Sequence, residues 1–388
     1  MTVKGNRFEA GRSSTPKTVV VLGATGHFGT RISRRIVNET NTRLIVTSRS
    51  IDSAERLMQE LGVSGPDADI QAAALDQTSA DFEQHLAELD PDIVIHTAGP
   101  YQGQDYRVAR ACAECGSHYI DLADGRQFVE EFESLHDLAL SHDVLLISGA
   151  STLPGLSSVV LREVRDRFET IETVEISIAP AHQTPRGVGT VSAVLSYCGK
   201  PFEVLIDGKW TTRYGWQDLR SFRYPELGLR LSGACDVPDL GLVPHKLPDV
   251  KTVTFHAALE AKWEQIALWL MGWVVRIKLV DDWARFATRF QRLSQRLIGF
   301  GSDRGGMHIR FTGEDHDGNP KTLSWQLTAR QNHGPEIPCT PALVLARQLA
   351  ADSIERRGAY PCWEMFSLSD FHKEVADYAI EWHIDESD

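Results

Sequence analysis

The first 150 residues alternate between short apolar runs and segments whose apolar residues recur every three or four positions. Residues 17–22, between Pro16 and Gly23, are rich in valine, which favours a buried parallel strand. Ile32 and Ile36 share one face of a following helix. The alternation predicts a doubly wound parallel α/β sheet. Its predicted strands are 17–22, 43–48, 69–76, 91–97, 118–122 and 144–148, and its predicted helices are 30–37, 52–61, 78–89, 106–115 and 126–141.

The pattern changes after residue 150. Residues 174–179 alternate apolar and polar side chains, and Asp207-Gly208 is a typical hairpin turn. These features predict a second, mixed and largely antiparallel α+β domain with a helical insertion near 262–298. Further strands are expected at 253–258, 306–313 and 321–329, with helices opening at Pro154 and covering 340–357 and 368–378.

Composition limits the classes of function. The 388 residues include 40 Lys and Arg but 53 Asp and Glu, a net charge of -13 that argues against nucleic-acid binding. A local basic pocket for a phosphate remains compatible with this charge. The first 16 residues are polar, so we expect a flexible tail and not a secretory signal. The longest apolar run, 266–275, is too short to span a bilayer.

Six cysteines are too few for a disulfide scaffold and fit a reducing cytoplasm. Cys112 and Cys115 have CxxC spacing within a predicted helix. No second pair follows at zinc-site spacing, so we interpret them as ordinary helix cysteines and predict no metal. Redox or metal use of this pair is the alternative.

The strongest chemical motif is the loop Gly23-Ala-Thr-Gly-His-Phe-Gly29, between the first strand and the first helix. Glycine permits the sharp turn, the approach of a pyrophosphate to the backbone, and packing of helix on strand. The N–H groups at the helix start then meet the phosphates. The loop predicts dinucleotide binding by Gly23, Ala24, Thr25, Gly26, His27, Phe28 and Gly29.

The ends of the next strands refine the cofactor. Ser48 and Arg49 stand where NAD-binding proteins usually carry an acidic residue, so a 2′-phosphate and hence NADP is preferred over NAD. Asp76 either reaches the adenine amino group or caps the following helix. The small residues Ala98, Gly99 and Pro100 would let the backbone lie near the nicotinamide.

Several segments together give a family resemblance. The sequence resembles the saccharopine dehydrogenase-like (saccharopine reductase-like) family of NAD(P)-binding oxidoreductases. The resemblance implies hydride transfer to or from a C–N bond, or a related C=O or C=C bond, in a substrate of unknown identity. Arg49 departs from the acidic pattern of NAD-linked lysine-pathway members. The resemblance rests on 23–29, 98–103, 119–125, 149–157, 301–306 and 358–362.

The resemblance also implies a division of the chain. We expect a tail over 1–16, a Rossmann NAD(P)-binding domain over 17–155 and a substrate or dimerisation domain over 156–335. Residues 336–388 are expected to form C-terminal helices that pack back on the Rossmann domain.

Hydride transfer usually needs a proton donor or acceptor near the reacting atom. Tyr101 follows the Gly-Pro turn and either donates a proton or packs on the cofactor. Asp121, at a strand end, either orients a substrate amine or is an ordinary carboxylate. His96 lies within an apolar strand and is interpreted as a core histidine.

Substrate contacts are expected at two places. Ser151 and Thr152 precede a helix start at Pro154 and Gly155, which suits an anionic group. The other place is a loop of the second domain, and the alternative is an ordinary surface loop without a ligand. Its candidate residues are His182 and Arg186.

The segment 263–297 has several interpretations. Its tryptophans form a buried helix, a homodimer contact, an apolar wall for a long substrate, or a peripheral membrane patch. Arginines within 285–297 form either a solvated face or a contact with anionic lipid. The alternatives to an oxidoreductase are a nucleotide-binding sensor without turnover and a lipid-related reductase at membrane surfaces.

Overall fold

The computed structural model describes residues 16–37, 39, 42–62 and 69–387. The predicted tail over 1–16, apart from Pro16, lies outside these residues. Among the described residues no helix combines the length and apolar character needed to cross a bilayer.

The first domain is a parallel sheet with helices on both faces, and the predicted fold class is confirmed. Val19 and Val21 pack on the face that contains Ile32, whereas Val20 and Leu22 pack on the opposite face. Burial on both faces explains the unbroken apolar run. The strands are β1 (Lys17–Leu22), β2 (Thr42–Ser48), β3 (Asp69–Ala74), β4 (Ile93–His96), β5 (His118–Asp121) and β6 (Leu145–Ser148), and the helices are α1 (His27–Ile36), α2 (Ile51–Leu61), α3 (Phe82–Glu88), α4 (Arg107–Glu114), α5 (Arg126–Glu130) and α6 (His136–Ser141).

The order of the strands in the first sheet determines where a ligand site can form. β1 lies between β2 and β4, so the chain runs to one side of β1 and then returns to the other. The carboxyl ends of these strands therefore border a crevice at the switch point, which is where such sheets bind ligands.

The second domain is the predicted mixed sheet. Seven strands order as β10-β11-β12-β7-β13-β14-β16, and only β12 and β7 pair in parallel. The Asp207-Gly208 turn joins a separate hairpin of β8 and β9, as predicted. Its elements are α7 (Ser157–Arg165), β7 (Thr170–Ala179), α8 (Val188–Ser196), β8 (Pro201–Ile206), β9 (Lys209–Tyr214), β10 (Arg220–Tyr224), β11 (Gly228–Ala234), α9 (Asp239–Lys246), β12 (Thr252–Ala258), α10 (Lys262–Arg276), α11 (Ala287–Leu297), β13 (Gly305–Glu314) and β14 (Pro320–Ala329).

The C-terminal segment differs from the prediction of helices alone. It adds β15 beside β6 in the first sheet and β16 beside β14 in the second. The helix expected at 340–357 begins four residues earlier and ends at Ala350, before Asp352, which has a φ of 50°. The elements are α12 (Glu336–Ala350), β15 (Gly358–Pro361), α13 (Leu368–Glu374) and β16 (Ile380–Ser387).

Candidate dinucleotide-binding site

The turn after β1 requires glycine at two positions. Gly23 has a φ of +79°, and a Cβ there would lie 3.0 Å from the Cβ of Ala98. At Gly29 a Cβ would lie 2.3 Å from the Gly23 carbonyl oxygen and 2.7 Å from the Ala24 Cα. The Gly29 contacts are sterically forbidden, and at Gly23 the positive φ and the crowding by Ala98 disfavour any other residue. The turn is therefore packed against the end of β4 and against the start of α1.

The N-terminus of α1 suits an anion. Gly26 is the N-cap and provides no side-chain cap, and the first turn of α1 contains no acidic residue. Its N–H groups therefore keep a partial positive charge. Burial, helped by Arg31, lowers the pKa of His27 to about 4, so the imidazole is neutral near pH 7. A dinucleotide fits this glycine cradle.

The ends of β2 and β3 present polar groups to the same cleft. Arg49 is exposed there and forms no hydrogen bond or ion pair with any described residue. Asp76 Oδ1 accepts hydrogen bonds from the Thr78 N–H at 2.9 Å and hydroxyl at 2.8 Å, which hold the pKa of Asp76 below its usual range. The helix-cap alternative for Asp76 is wrong, because α3 begins at Phe82 with Asp81 as its N-cap.

A loop after β4 forms the next wall. The Gln104 side chain donates to the carbonyl oxygens of Pro100 at 2.7 Å and Ala98 at 3.0 Å. Tyr101 is buried, lines the cleft and donates its hydroxyl to the His96 carbonyl oxygen at 2.7 Å. Burial raises the pKa of Tyr101 well above its ordinary value. The phenol therefore holds the loop, which agrees with the packing interpretation.

His96 is the core histidine that the sequence predicts. Its Nδ1 lies 2.9 Å from the Tyr119 hydroxyl, and its Nε2 lies 2.8 Å from Gln77 Oε1. Burial lowers its pKa to about 3, so the ring stays neutral. Both ring nitrogens are used within the fold.

Asp121 does not line the cleft, contrary to the expectation that it orients a substrate amine. Its Oδ1 accepts hydrogen bonds from the Gly149 N–H at 2.8 Å, the Ala123 N–H at 2.9 Å and the Ser148 hydroxyl at 3.0 Å. Burial raises the pKa of this carboxyl to about 6. Asp121 therefore fixes the turn after β6.

The sequence predicts a helix start at Pro154 and Gly155, but the helix begins later in the structure. Residues 152–156 form a single π turn, and α7 begins only at Ser157. Pro154 and Gly155 are buried and face away from the cleft, and the Ser157 hydroxyl donates to the buried carboxylate of Asp239. Burial raises the pKa of Asp239 to about 7, so this carboxyl is only partly ionised near neutral pH. Ser151 and Thr152 do line the cleft.

The two candidate substrate-binding residues of the second domain, His182 and Arg186, lie in different environments. His182 is buried outside the cleft, with Nε2 3.0 Å from the Leu297 carbonyl oxygen. Arg186 lines the cleft, and one of its terminal guanidinium nitrogens, Nη2, is buried without a hydrogen-bond partner. Burial lowers the pKa of Arg186, an effect that Glu264 opposes.

One cleft of about 930 Å³ joins these groups and continues into the second domain. Ala24 and Gly29 pack beneath its floor, with Ala24 fully buried. Sequence reasoning missed several polar side chains that line the cleft. Gln102 and Asp124 lie within two segments that carry the family resemblance, whereas the others follow a strand without a recognisable motif. The predicted residues lining it are Gly23, Thr25, Gly26, His27, Phe28, Ser48, Arg49, Asp76, Ala98, Gly99, Pro100, Tyr101, Ser151, Thr152 and Arg186, and the missed ones are Gln77, Thr78, Gln102, Asp124 and Asp236.

The cysteine pair offers no third ligand. Cys112 is buried in α4, and burial raises the pKa of both Cys112 and Cys115. Within the described part of the chain, no three His, Cys, Asp or Glu side chains form a group able to hold a metal ion.

The fold and the glycine turn define a Rossmann-type protein with a second, mixed-sheet domain. Residues 19–145 match the family model of the saccharopine dehydrogenase NADP binding domain. The fold is similar to apo saccharopine dehydrogenase (L-Glu forming) from Saccharomyces cerevisiae, with a TM-score of 0.68 at 14% identity, covering 96% of this chain and 100% of that one. The predicted resemblance is therefore confirmed over residues 19–145, and nearly the whole chain shares the fold of that enzyme.

The chain is also similar in sequence to curated relatives, over part of their length. The human saccharopine dehydrogenase-like oxidoreductase is 24% identical over 223 residues, which cover 54% of this chain and 48% of the relative. A trans-acting enoyl reductase from Mycobacterium leprae (strain TN) is 24% identical over 182 residues, covering 45% of this chain and 43% of the relative. The chain spans about half the length of the curated relatives it matches.

Proposed function

We propose that this protein is an NADP(H)-dependent oxidoreductase. The observation that carries the proposal is the glycine turn facing an unpaired arginine across one cleft. Side chains at Gly23 and Gly29 would be strained or would clash, and Arg49 at the end of β2 forms no ion pair among the described residues, with only a longer-range attraction to Asp76. A free guanidinium there suits the 2′-phosphate that distinguishes NADP from NAD.

Most cofactor contacts would come from the first domain. The pyrophosphate would lie at the N-terminus of α1, and the Asp76 carboxylate lies in the same wall as Arg49. The proposed cofactor-binding residues are Gly23, Ala24, Thr25, Gly26, His27, Phe28, Gly29, Ser48, Arg49, Asp76, Ala98, Gly99 and Pro100.

A bound nicotinamide would supply or accept a hydride. In this chain Tyr101 would form the wall beside that ring and keep its hydroxyl on His96, so it positions the ring and transfers no proton. Ser151, Thr152 and Arg186 would contact the substrate, because they line the same cleft as the glycine turn. Asp121, through the Gly149 N–H, would fix the turn that carries Ser151.

Titration with NADPH and NADH tests the cofactor assignment. We expect NADPH to bind, and Gly26→Val to abolish binding because its side chain would enter the phosphate crevice. Gly299→Val is the matched control, since no described atom lies within 4 Å of a Cβ built there. Absence of NADPH and NADH binding to the unaltered protein would overturn the proposal.

Turnover is tested separately. NADPH oxidation is followed with 2-oxo acids plus amines, ketones and enoyl thioesters. The enoyl group is included because one relative is named an enoyl reductase. Oxidation of NADPH with any one class supports an oxidoreductase.

A nucleotide-binding sensor without turnover is the second candidate. The observation favouring it is that the two predicted catalytic groups are both engaged within the fold. Tyr101 donates to a carbonyl oxygen, and Asp121 lies outside the cleft. Tight NADPH binding with no oxidation by any substrate class would favour this function.

We further propose the domain division 17–155, 156–335 and 336–388, with β15 and β16 tying the last segment to both sheets.

All six cysteines are free thiols, which supports a cytoplasmic location. The exposed apolar face of 263–297 is proposed as a peripheral membrane contact, and a homodimer through that face is the alternative outcome.

A further inference from the structure

The cleft does not end at the glycine turn. It extends between the second sheet and the helices α8, α10 and α11, where most of the lining side chains are apolar. We call this part the apolar chamber, defined by Val191 and Val194 of α8, Ala267 and Met271 of α10, and Phe290 and Leu293 of α11.

Hydrogen bonds hold the chamber walls in place. The Gln217 side chain donates to the Trp269 carbonyl oxygen at 2.7 Å, and the Trp283 indole donates to the Met271 carbonyl oxygen at 3.1 Å. These bonds fix α10 to the loop before β10 and to the segment before α11. The chamber is therefore a formed cavity with fastened walls, as is usual for small-molecule sites.

A dinucleotide does not account for the chamber. Its phosphates, riboses and amide need polar partners, and those lie at the first-domain end of the cleft. None of the six chamber side chains can pair with a charge, so a charged group of the substrate would have to lie outside the chamber, beside Arg186 and Glu264. Binding in such a cavity is favourable only when the ligand buries apolar surface there.

The chamber has an apolar mouth. Trp263 and Leu293 line the cleft, yet 56% and 52% of their surfaces are exposed. They lie on α10 and α11 respectively, so solvent reaches the chamber between these two helices. A ligand longer than the chamber can extend through this opening.

Polar groups stand at one side of the chamber. Arg186 leaves its buried Nη2 without a hydrogen-bond partner, whereas the Glu264 carboxylate lies 3.4 Å from His182 Nδ1 and attracts Arg186. Burying a guanidinium N–H without a hydrogen bond is costly, and a polar head group would relieve that cost. The arrangement is amphipathic: a cationic side chain near the cofactor end and hydrocarbon beyond it.

We propose that the substrate of this site carries a long unbranched hydrocarbon chain, which the apolar chamber encloses while Arg186 holds its oxygen-bearing head. This assignment rests on the proposed function, since it names the class of substrate for the same cleft.

Displacement of cis-parinaric acid, a fluorescent polyene fatty acid, tests the chamber. Saturated straight-chain fatty acids of increasing length are the competitors, with the full chain both alone and saturated with NADPH. Each added methylene is expected to tighten binding about two- to fourfold until the chamber is filled. Affinity independent of chain length, or no binding of the probe, would overturn the proposal.

Two neighbouring substitutions separate the chamber from the helix surface. Ala267→Trp fills the chamber and is expected to weaken probe binding at least about tenfold, whereas Ile266→Trp, on the exposed side of α10, leaves it unchanged. Thermal unfolding checks that both variants fold, and Met271→Trp replaces Ala267→Trp if that variant does not. Equal weakening by Ile266→Trp would contradict the proposal.

NADPH titration of the same samples separates the two proposals. NADPH binding without fatty-acid binding leaves the proposed function intact and removes the chain-binding chamber. Fatty-acid binding that depends on chain length, without NADPH binding, supports the chamber and removes the oxidoreductase.

Discussion

Arg49 is the residue on which cofactor preference depends. Arg49→Ala is expected to weaken NADPH binding about 10- to 100-fold and to leave NADH binding unchanged, because a charge-assisted contact to the 2′-phosphate is lost. Fluorescence titration with both cofactors measures the change. Arg56→Ala is the matched control, since Arg56 is exposed on α2 and bonds only within its own helix. An equal loss for both cofactors would contradict the assignment.

Asp121 gives stability a defined pH dependence. Its folded-state pKa of about 6 lies above the unfolded value near 3.9, so the native state binds the proton more tightly. The free energy of unfolding therefore falls as the pH rises through roughly 4 to 6, and the loss persists above that window. The magnitude is on the order of 3 kcal/mol.

Asp121→Asn removes this titration. Relative to the variant, the unaltered protein is expected to become less stable as the pH rises through the same window. Urea unfolding at a series of pH values measures the difference, with Asp52→Asn on the surface of α2 as a control substitution. Parallel stability curves for the protein and Asp121→Asn would show that burial does not shift this carboxyl.

Residues whose chemistry follows from the backbone could be predicted, and those whose chemistry depends on orientation could not. The glycine motif identifies Gly23 and Gly29 in the sequence. The structure gives the reason, because a side chain at either position would be strained or would clash. Asp121 and His182 look equally functional in the sequence. Only tertiary packing turns both away from the cleft, because their polar atoms bond to neighbouring backbone.

At the scale of elements, a charged cluster ties α1 to the C-terminal helices. Arg35 pairs with Glu374, and Arg347 pairs with the same carboxylate, while little of Arg35 or Glu374 is exposed. Arg35 also donates to the Glu374 carbonyl oxygen at 2.7 Å. Glu374 thus joins α1, α12 and α13.

Glu374→Gln is expected to lower the free energy of unfolding by about 2 kcal/mol, because Arg35 and Arg347 lose the carboxylate they share and keep only Glu336 and Glu39 as partners. Glu172→Gln is the control, since the Glu172–Lys251 pair is exposed to solvent and is expected to contribute nothing measurable. Chemical denaturation of both variants measures the effect. Equal stability of the two variants would show that the cluster does not hold α12 and α13 on α1.

Elements were predictable where periodicity extends over enough residues. β1 is continuous in sequence and has the predicted bounds, and the β8–β9 hairpin follows its Asp-Gly turn. β15 contains four residues, too few to show an alternation of apolar and polar side chains. It pairs at the edge of the first sheet. β16 pairs with β14, a partner that a local pattern cannot identify.

At the scale of the whole molecule, the two sheets share one cleft, and this could not be predicted from either half. The glycine turn is readable within the first domain alone. The chamber walls come from α8, α10 and α11, and strands β8 to β12 separate α8 from the other two helices in the sequence. The second-domain part of the site therefore depends on long-range packing.

The segment 262–297 gives the molecule a surface unlike the rest. It contains seven basic and three acidic residues in a protein of net charge -13. Arg289 and Arg292 are exposed on α11, and 73% of the surface of Leu279 is exposed between the helices. Exposed apolar and basic side chains together favour an anionic membrane surface over a second copy of an acidic protein.

Co-sedimentation with vesicles tests this surface. We expect binding to phosphatidylcholine vesicles that contain phosphatidylserine, and release at high salt, because screening shortens the reach of the arginine charges. The double variant Arg289→Gln/Arg292→Gln should lose about 1 kcal/mol per arginine, or about tenfold to thirtyfold in affinity. Arg34→Gln/Arg56→Gln, which removes two exposed charges from the first domain, is the control. If the protein instead forms a dimer in solution that Leu279→Asp disrupts, and vesicles fail to sediment it, this face binds a second copy and the membrane assignment is wrong.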